Sequence, residues 1–331
     1  MNSEEMLVLT PPEIQSLLTI DECIVTVEHA FRLYGEGKAA APAVLSMHTR
    51  DGGFHVKLGL LELSRPYFGT KVNGNFAENP KRFGLPTIQG VLILCDAEKG
   101  SPLAVMDSRD ITSLRTGAAT AVAAKYLARQ DSRTATICGC GKQGRIQAKA
   151  LSRVCRLQTV FAYDKIEEQA LDFARDLTED LGIPVTSMTD LAAAVRQSDI
   201  CVTCTPSRKP LLDSDDIAPG TFIAAVGADS PEKQELHPSI MAKSKIVADI
   251  LQQCSVMGDL HHALDAGVVT LADVYGELGD VVAGNKPGRE SDEEIIVFDS
   301  TGMALQDVAA AALLYEKAER QGTGIRVNFA A

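Results

Sequence analysis

The sequence predicts an α/β protein whose second half is a doubly wound parallel sheet, preceded by an antiparallel or mixed sheet with its own helices. Three observations carry this. Beyond Arg129, short apolar runs alternate with helical stretches. Between Ala43 and Met106, β-like runs follow one another with no helix between them. A glycine turn, Gly139-Cys140-Gly141-Lys142-Gln143-Gly144, stands where the first of the alternating strands meets its helix. At 331 residues the chain is longer than one ordinary domain needs, so two domains are expected.

In chain order, Thr10-Pro11-Pro12-Glu13 carries an N-cap, prolines and an early acid, the start of a helix, and a second helix is expected from about Ile20 to Tyr34. Strands follow at Phe54–Leu58, Tyr67–Val72 and Gly90–Leu94, and Asp96–Gly100 reads as a hairpin turn into Pro102–Met106. Thr112 or Ser113 is expected to cap an alanine-rich helix running to about Ala128. Then come strands at Thr134–Cys138, Thr159–Tyr163, Ile200–Thr205, Phe222–Val226 and Lys245–Asp249, with helices at Gln143–Val154, Glu167–Leu181 and Asp190–Gln197 among the early ones. An apolar run, Glu294–Phe298, and an alanine-rich helix from about Ala304 to Gln321 close the pattern.

Composition excludes several classes. A net charge of -12 argues against a nucleic-acid surface, which needs clustered Lys and Arg. It leaves room for a small anionic ligand, because one or two local cations suffice to hold a carboxylate. Met1–Glu5 is polar and reads as no secretory leader, and no apolar run approaches the length of a bilayer span, so neither a membrane partner nor export is expected. The 8 cysteines are scattered, mostly in apolar runs, as buried thiols of a cytoplasmic protein would be. Cys201-Val202-Thr203-Cys204 has no second pair at zinc-site spacing, so no metal is expected.

The glycine turn points to a dinucleotide. Gly139 permits the tight turn, Gly141 lets backbone approach a pyrophosphate, and Gly144 lets the helix pack against the strand. The helix then offers its first N–H groups to phosphate. The next strand ends at Asp164, placed to accept from ribose hydroxyls and repel a 2′-phosphate, which favours NAD over NADP. Lys165 beside it weakens that preference.

Charged residues outside this unit sit in apolar or glycine-rich surroundings: Lys71 in Gly69-Thr70-Lys71-Val72-Asn73-Gly74, Arg115 in Leu114-Arg115-Thr116-Gly117-Ala118, and Asp229 in Val226-Gly227-Ala228-Asp229-Ser230. With Gly84-Leu85-Pro86-Thr87, Pro102–Asp107, the glycine turn, Thr205-Pro206-Ser207, Glu235-Leu236 and Ile296–Gly302, these segments resemble the ornithine cyclodeaminase/mu-crystallin superfamily over nearly the whole chain. The second half, notably Thr205–Pro210 and Gly288–Glu294, resembles its alanine dehydrogenase members most.

The resemblance implies that a Rossmann domain, residues 113–302, is inserted in an α+β substrate-binding and dimerisation domain formed by residues 1–112 and 303–331. It implies that Lys71 and Arg115 hold a substrate carboxylate and that Asp229 handles the proton at the reacting nitrogen, with Lys71 and Asp229 as the catalytic groups. By the same resemblance Arg115, Thr116, Gly139, Gly141, Lys142, Gln143, Gly144, Asp164 and Lys165 contact the dinucleotide, as do Thr205, Pro206, Ser207, Val226, Gly227 and Ser300. The roles are chemically coherent. Arginine offers a rigid fork to a carboxylate and lysine a point charge, and oxidation of an amine to an imine releases a nitrogen proton that a carboxylate accepts.

The departures from the family matter as well. Where cyclodeaminases carry an arginine and an acid, this chain reads Ala41–Leu45 and Phe54-His55-Val56-Lys57-Leu58. His55 and Lys57 are therefore candidates to line the substrate pocket. The expected function is NAD-dependent interconversion of a small L-amino acid and its imino or oxo acid, of alanine dehydrogenase or imine/ketimine reductase type. The alternatives are an ornithine cyclodeaminase and a non-catalytic mu-crystallin-like binding protein. A homodimer is expected, formed through an exposed sheet face. His261-His262 reads as surface residues pointing to different faces, and Asp292-Glu293-Glu294 as a solvated charge run.

Overall fold

The computed structural model describes residues 5–328. Apart from Glu5, the polar start read at Met1–Glu5 lies outside the described residues. Two compact units divide the chain, residues 1–115 with 303–331, and residues 116–302.

The first unit is built on a seven-stranded mixed sheet. Its strands, in spatial order, are Ile325–Asn328, Glu5–Leu9, Pro102–Asp107, Ile88–Asp96, Pro66–Asn75, Gly52–Glu62 and Ala43–Thr49. All neighbours are antiparallel except Glu5–Leu9 with Pro102–Asp107. Alternation assigns the two faces. On one face Lys57, Lys71, Leu92 and Met106 stand in register, and the final helix, Ala304–Gln321, packs over it. Gly59 and Gly69 let that helix come close: a Cβ on either would lie 2.9 Å from Leu305 Cδ2 or 2.8 Å from Val308 Cγ2. The opposite face carries the row Leu45, Val56, Val72 and Val91, with Met47 and Phe54 paired beside it. Leu45 is 65% exposed and Met47 72%.

The two expected helices, Pro11–Leu17 and Ile20–Gly35, are both opened by capping boxes, Thr10 with Glu13 and Thr19 with Glu22. The alanine-rich helix differs from expectation. It runs Ser108–Leu127, starting directly where the strand Pro102–Asp107 ends. Asp107 Oδ1 accepts from Arg109 N–H at 2.9 Å, while the Ser113 hydroxyl, expected as a cap, donates back to Arg109 O at 2.9 Å within the helix.

The second unit is an eight-stranded parallel sheet. Its spatial order is Val274–Glu277, Lys245–Ala248, Ile296–Asp299, Phe222–Ala225, Ile200–Thr203, Thr134–Cys138, Thr159–Tyr163 and Val185–Ser187. The central strands are mostly apolar because both faces are covered; Ile137, Val160, Val202, Phe222 and Phe298 are fully buried, as are the polar Thr136, Thr203 and Asp299. Chain order reverses between Thr134–Cys138 and Ile200–Thr203, the point at which such sheets open a crevice at their carboxyl ends. This is the expected doubly wound α/β fold. Among the described residues no helix is long and apolar enough to cross a membrane.

Glu294 is not part of a solvated run. Its carboxylate pairs with Lys245 Nζ at 2.5 Å and accepts from the N–H groups of Glu290 and Ser291. Burial pushes Glu294 up, but these partners outweigh it and hold the carboxyl below its usual range. Asp292 and Glu293 are exposed.

Candidate active site

The glycine turn occupies the switch point of the parallel sheet. Gly139 has φ +106, where a side chain would be strained, and its N–H donates to Tyr163 O at 2.8 Å. A Cβ on Gly144 would lie 2.0 Å from Gly139 O, so the helix Lys142–Val154 reaches its strand only with glycine there. Around Gly141, which precedes that helix, a Cβ would meet nothing within 4 Å. No side-chain hydrogen bond caps this helix, and an uncapped first turn presents backbone N–H groups to an anion. The Gln143 Nε2 donor is buried without a partner among the described residues. A dinucleotide pyrophosphate fits this uncapped helix N-terminus and open backbone.

A cavity of about 400 Å³ adjoins the turn, lined by Asp164, Lys165 and Ile166 on one side and Thr205, Pro206 and Ser207 on the other. Asp164 has a structural task that its sequence position did not reveal. Its Oδ2 accepts from Cys140 N–H at 2.9 Å and its Oδ1 from Ile166 N–H at 3.0 Å, bracing the glycine turn while its remaining lone pairs face the cavity wall.

The loops at the carboxyl ends of four strands are stapled by buried carboxylates. Glu235, fully buried, accepts from Thr205 N–H at 2.6 Å and Oγ1 at 2.7 Å, and from Gly227 N–H at 2.9 Å. Asp259 accepts from the N–H groups of Glu235 and Leu236, both at 2.8 Å. Asp249 accepts from Ser300 Oγ at 3.1 Å and Gly302 N–H at 2.6 Å. Burial, then the neighbouring Asp259, raises Glu235 above the usual carboxylate range. Ser300 is thus buried and turned to Asp249, and Val226, the first residue after the strand Phe222–Ala225, donates its N–H to Thr203 O. Glu235→Gln would set an amide donor against a backbone N–H, so NAD affinity should fall about tenfold to a hundredfold, read by fluorescence titration. Unchanged affinity would show that the staple is dispensable.

Asp229 follows the strand Phe222–Ala225 on the loop that begins at Val226. Its side chain is 49% exposed and pairs with Lys233 Nζ at 2.5 Å. Thr116 lies half-buried in the helix Ser108–Leu127, one residue beyond Arg115.

In the first unit Lys71 and Arg115 come together. Both are buried, 3% and 5% exposed, around a residue the sequence reading missed, Asp307 at 2%. Lys71 Nζ donates to both Asp307 oxygens at 2.8 and 2.7 Å. Arg115 Nε lies 3.0 Å from Asp307 Oδ1, and Arg115 Nη1 donates to Gln306 Oε1 at 2.9 Å. Removing one partner of such a buried set leaves an uncompensated charge, at about 3–5 kcal/mol. Gln306 Nε2 is buried without a hydrogen-bond partner among the described residues, and Arg115 Nε meets Asp307 as an ion pair without hydrogen-bond alignment, so the cluster keeps donor capacity for an anion. Lys57 stands directly across from Lys71 on the same face, and His55 one pair further on, its Nδ1 2.9 Å from Ser46 Oγ. The available signal for Asp307 was a Gln-Asp pair embedded in the apolar run of the final helix, where a lone acid must meet a cation.

The residues set aside stay apart from these clusters. His262 Nε2 bonds Lys233 O at 2.8 Å, and His261 lies 3.4 Å from Asp265. Contrary to the expectation that they point to different faces, the two rings pack against each other with centroids 5.1 Å apart. Cys201 and Cys204 are free thiols, and among the described residues no cluster could hold a metal.

Comparison with known proteins identifies the family. The model of the ornithine cyclodeaminase/mu-crystallin family matches residues 4–322. An alanine dehydrogenase of Archaeoglobus fulgidus is 44% identical over 98% of this chain and 99% of its own. A solved archaeal alanine dehydrogenase dimer with bound NAD superposes with TM-score 0.94 at 44% identity, covering 98% of this chain and 99% of that one. The Delta(1)-pyrroline-2-carboxylate reductase of Thermococcus litoralis, solved with NADH and L-proline, gives TM-score 0.92 at 34% identity, covering 97% of this chain and 100% of that one. The chain belongs to the ornithine cyclodeaminase/mu-crystallin family.

Proposed function

We propose that this protein is an NAD-dependent oxidoreductase that interconverts a small L-amino acid and its imino or oxo acid by hydride transfer at the α-carbon. The buried Lys71–Arg115 pair carries this reading: two desolvated cations with spare donors suit a carboxylate, and a structural ion pair needs only one. Lys71 and Arg115 hold the substrate carboxylate and thereby fix the α-carbon, and Asp229 exchanges a proton with the reacting nitrogen. NAD, held by the glycine turn and the Thr205–Ser207 loop, supplies or accepts the hydride. Asp164 favours NAD over NADP, with Lys165 opposing it weakly. The unit of residues 116–302 binds the cofactor, and the other unit binds substrate. The related alanine dehydrogenase and pyrroline-2-carboxylate reductase support this class of reaction.

Two features speak against the alternatives. A cyclodeaminase acting on ornithine has a distal ammonium to recognise, yet Lys57 and His55 stand beside Lys71 in the sheet. A binding protein has no use for Asp229. The test is incubation with NAD and a panel of L-amino acids, recording NADH absorbance and ammonia. NADH with ammonia is the expected result. Ammonia and proline without net NADH would make it a cyclodeaminase, and silence on every substrate with NAD bound would make it a binding protein.

The face carrying Leu45, Val56, Val72 and Val91 is the proposed homodimer face, since Leu45, Met47, Phe54 and Val91 stand exposed together on it and clustered exposed apolar residues mark interfaces. A related alanine dehydrogenase is described as a dimer. The double variant Met47→Glu/Val91→Glu should elute at half the wild-type mass in light scattering and still bind NAD. A wild-type mass for the variant would place the interface elsewhere.

A further inference from the structure

We infer that Asp307 is a positioning residue for carboxylate recognition, an internal counter-ion that keeps Lys71 an ammonium in a dry pocket and leaves Lys71 and Arg115 one net positive charge for one substrate carboxylate. This rests on the reading of Lys71 and Arg115 as the carboxylate-binding pair.

The geometry places Asp307 for this task and for little else. Its two oxygens straddle Lys71 Nζ at 2.8 and 2.7 Å, and Oδ1 also lies 3.0 Å from Arg115 Nε. It sits in the first turn of the helix Ala304–Gln321, between Leu305 and Val308, the two side chains seated over Gly59 and Gly69. The glycine pair therefore sets how closely the carboxylate approaches the sheet. A larger residue at either glycine would lift the helix and with it Asp307.

The charges around Lys71 make the counter-ion necessary. Lys57 faces it from the strand Gly52–Glu62, with His55 one pair along, and Arg115 from the helix Ser108–Leu127. The strand Ile88–Asp96 contributes only Leu92. Cys23, from the helix Ile20–Gly35, is pushed by burial up to about 12 and stays a neutral thiol. Asp307 is the one anion of this set. Burial pushes the Lys71 ammonium down to about 7; Asp307 opposes that shift, and Arg115 and Lys57 add to it. Burial pushes Asp307 up, but Arg115 and Lys71 outweigh it and hold its carboxyl below the usual range, so Asp307 stays charged throughout.

The sign follows directly. The Lys71 ammonium is present below its folded pKa and is lost as pH rises through about 7, and affinity for a carboxylate is lost with it. Without Asp307 that loss begins at lower pH.

Propanoate tests this, because it carries one carboxylate and no amine, and its own charge is constant from about pH 6 to 9. Its dissociation constant is measured on the NAD-loaded protein by saturation-transfer NMR, which reads binding without turnover. For the wild type it should be level at low pH and rise about tenfold above neutrality. In Asp307→Asn the rise should begin at least about one pH unit lower, with affinity at the acid end equal or tighter because a competing carboxylate has gone. In Lys71→Arg, which holds its charge, the curve should be level. A purely structural role for Asp307 predicts a uniform loss at every pH with the break unmoved, and that result overturns the inference, as does a wild-type break that persists in Lys71→Arg.

If Asp307→Asn fails to fold, Lys71→Met is compared with Lys71→Met/Asp307→Asn, which removes the ammonium and its counter-ion together. The single variant leaves Asp307 against Arg115 alone, so the double variant should bind propanoate at least as tightly as the single one, and neither should depend on pH; weaker binding by the double variant overturns the inference. Absence of NADH formation with this pH pattern intact would reject the oxidoreductase reading and leave Asp307's role standing. Turnover without the pH pattern would do the reverse.

Discussion

Asp229→Asn is expected to lower kcat for amino-acid oxidation by about 10²–10⁴-fold while leaving NAD affinity within about threefold. Asparagine keeps the size of the side chain and a hydrogen bond to Lys233, but it cannot accept the proton that an amine gives up on becoming an imine. The loss falls on turnover rather than folding because Asp229 is half exposed on a loop, ion-paired with Lys233 four residues on. Substitutions at such positions shift stability by about 0.5 kcal/mol or less. The same variant should remain able to bind a carboxylate ligand, which depends on Lys71 and Arg115. Stopped-flow turnover beside equilibrium NAD titration separates the two effects. A variant that turns over at the wild-type rate would remove Asp229 from the chemistry.

Gly144→Ala should weaken NAD binding by more than about a hundredfold. The added Cβ would stand 2.0 Å from Gly139 O, and backbone cannot yield as a flexible side chain would. Either the helix Lys142–Val154 withdraws from its strand or the turn opens. Both displace the first helical amides, and losing two or three of their hydrogen bonds to a charged phosphate, at about 1.5–3 kcal/mol each, accounts for the effect. The first unit should be untouched, so propanoate binding to the cofactor-free protein distinguishes local damage from global unfolding. Isothermal titration with NAD measures the loss. An affinity within tenfold of wild type would show that the turn is not the pyrophosphate cradle.

Local features were legible in the sequence to the extent that local residues determine them. The helix Glu167–Leu181 and the strands Thr134–Cys138 and Thr159–Tyr163 have the bounds their periodicity predicts, because buried parallel strands are short apolar runs and surface helices are amphipathic. The glycine turn was legible for the same reason. What depends on distant partners was not. Ile296–Asp299 lies between Phe222–Ala225 and Lys245–Ala248, an order that no local pattern encodes. Glu5–Leu9 was not legible because it joins a sheet through partners distant in the chain, Pro102–Asp107 and Ile325–Asn328.

The site divides along the same line. Lys71 and Arg115 stood out as charges in apolar surroundings. Asp307, 236 positions from Lys71, was invisible until the final helix was laid on the sheet. Glu235 could be seen as part of a motif, but its task of joining Thr205 to Gly227 belongs to the third dimension. Glu294 was misread because a run of acids looks solvated unless the lysine facing it, Lys245, is known.

Isotope transfer tests the proposed chemistry most directly. The protein is incubated with NAD and L-amino acids deuterated at the α-carbon, and the recovered cofactor is examined by proton NMR at nicotinamide C4. Deuterium on one face of C4, together with release of the imino or oxo acid, is the predicted result. An unlabelled cofactor for every amino acid, with NAD demonstrably bound, would contradict hydride transfer from the α-carbon.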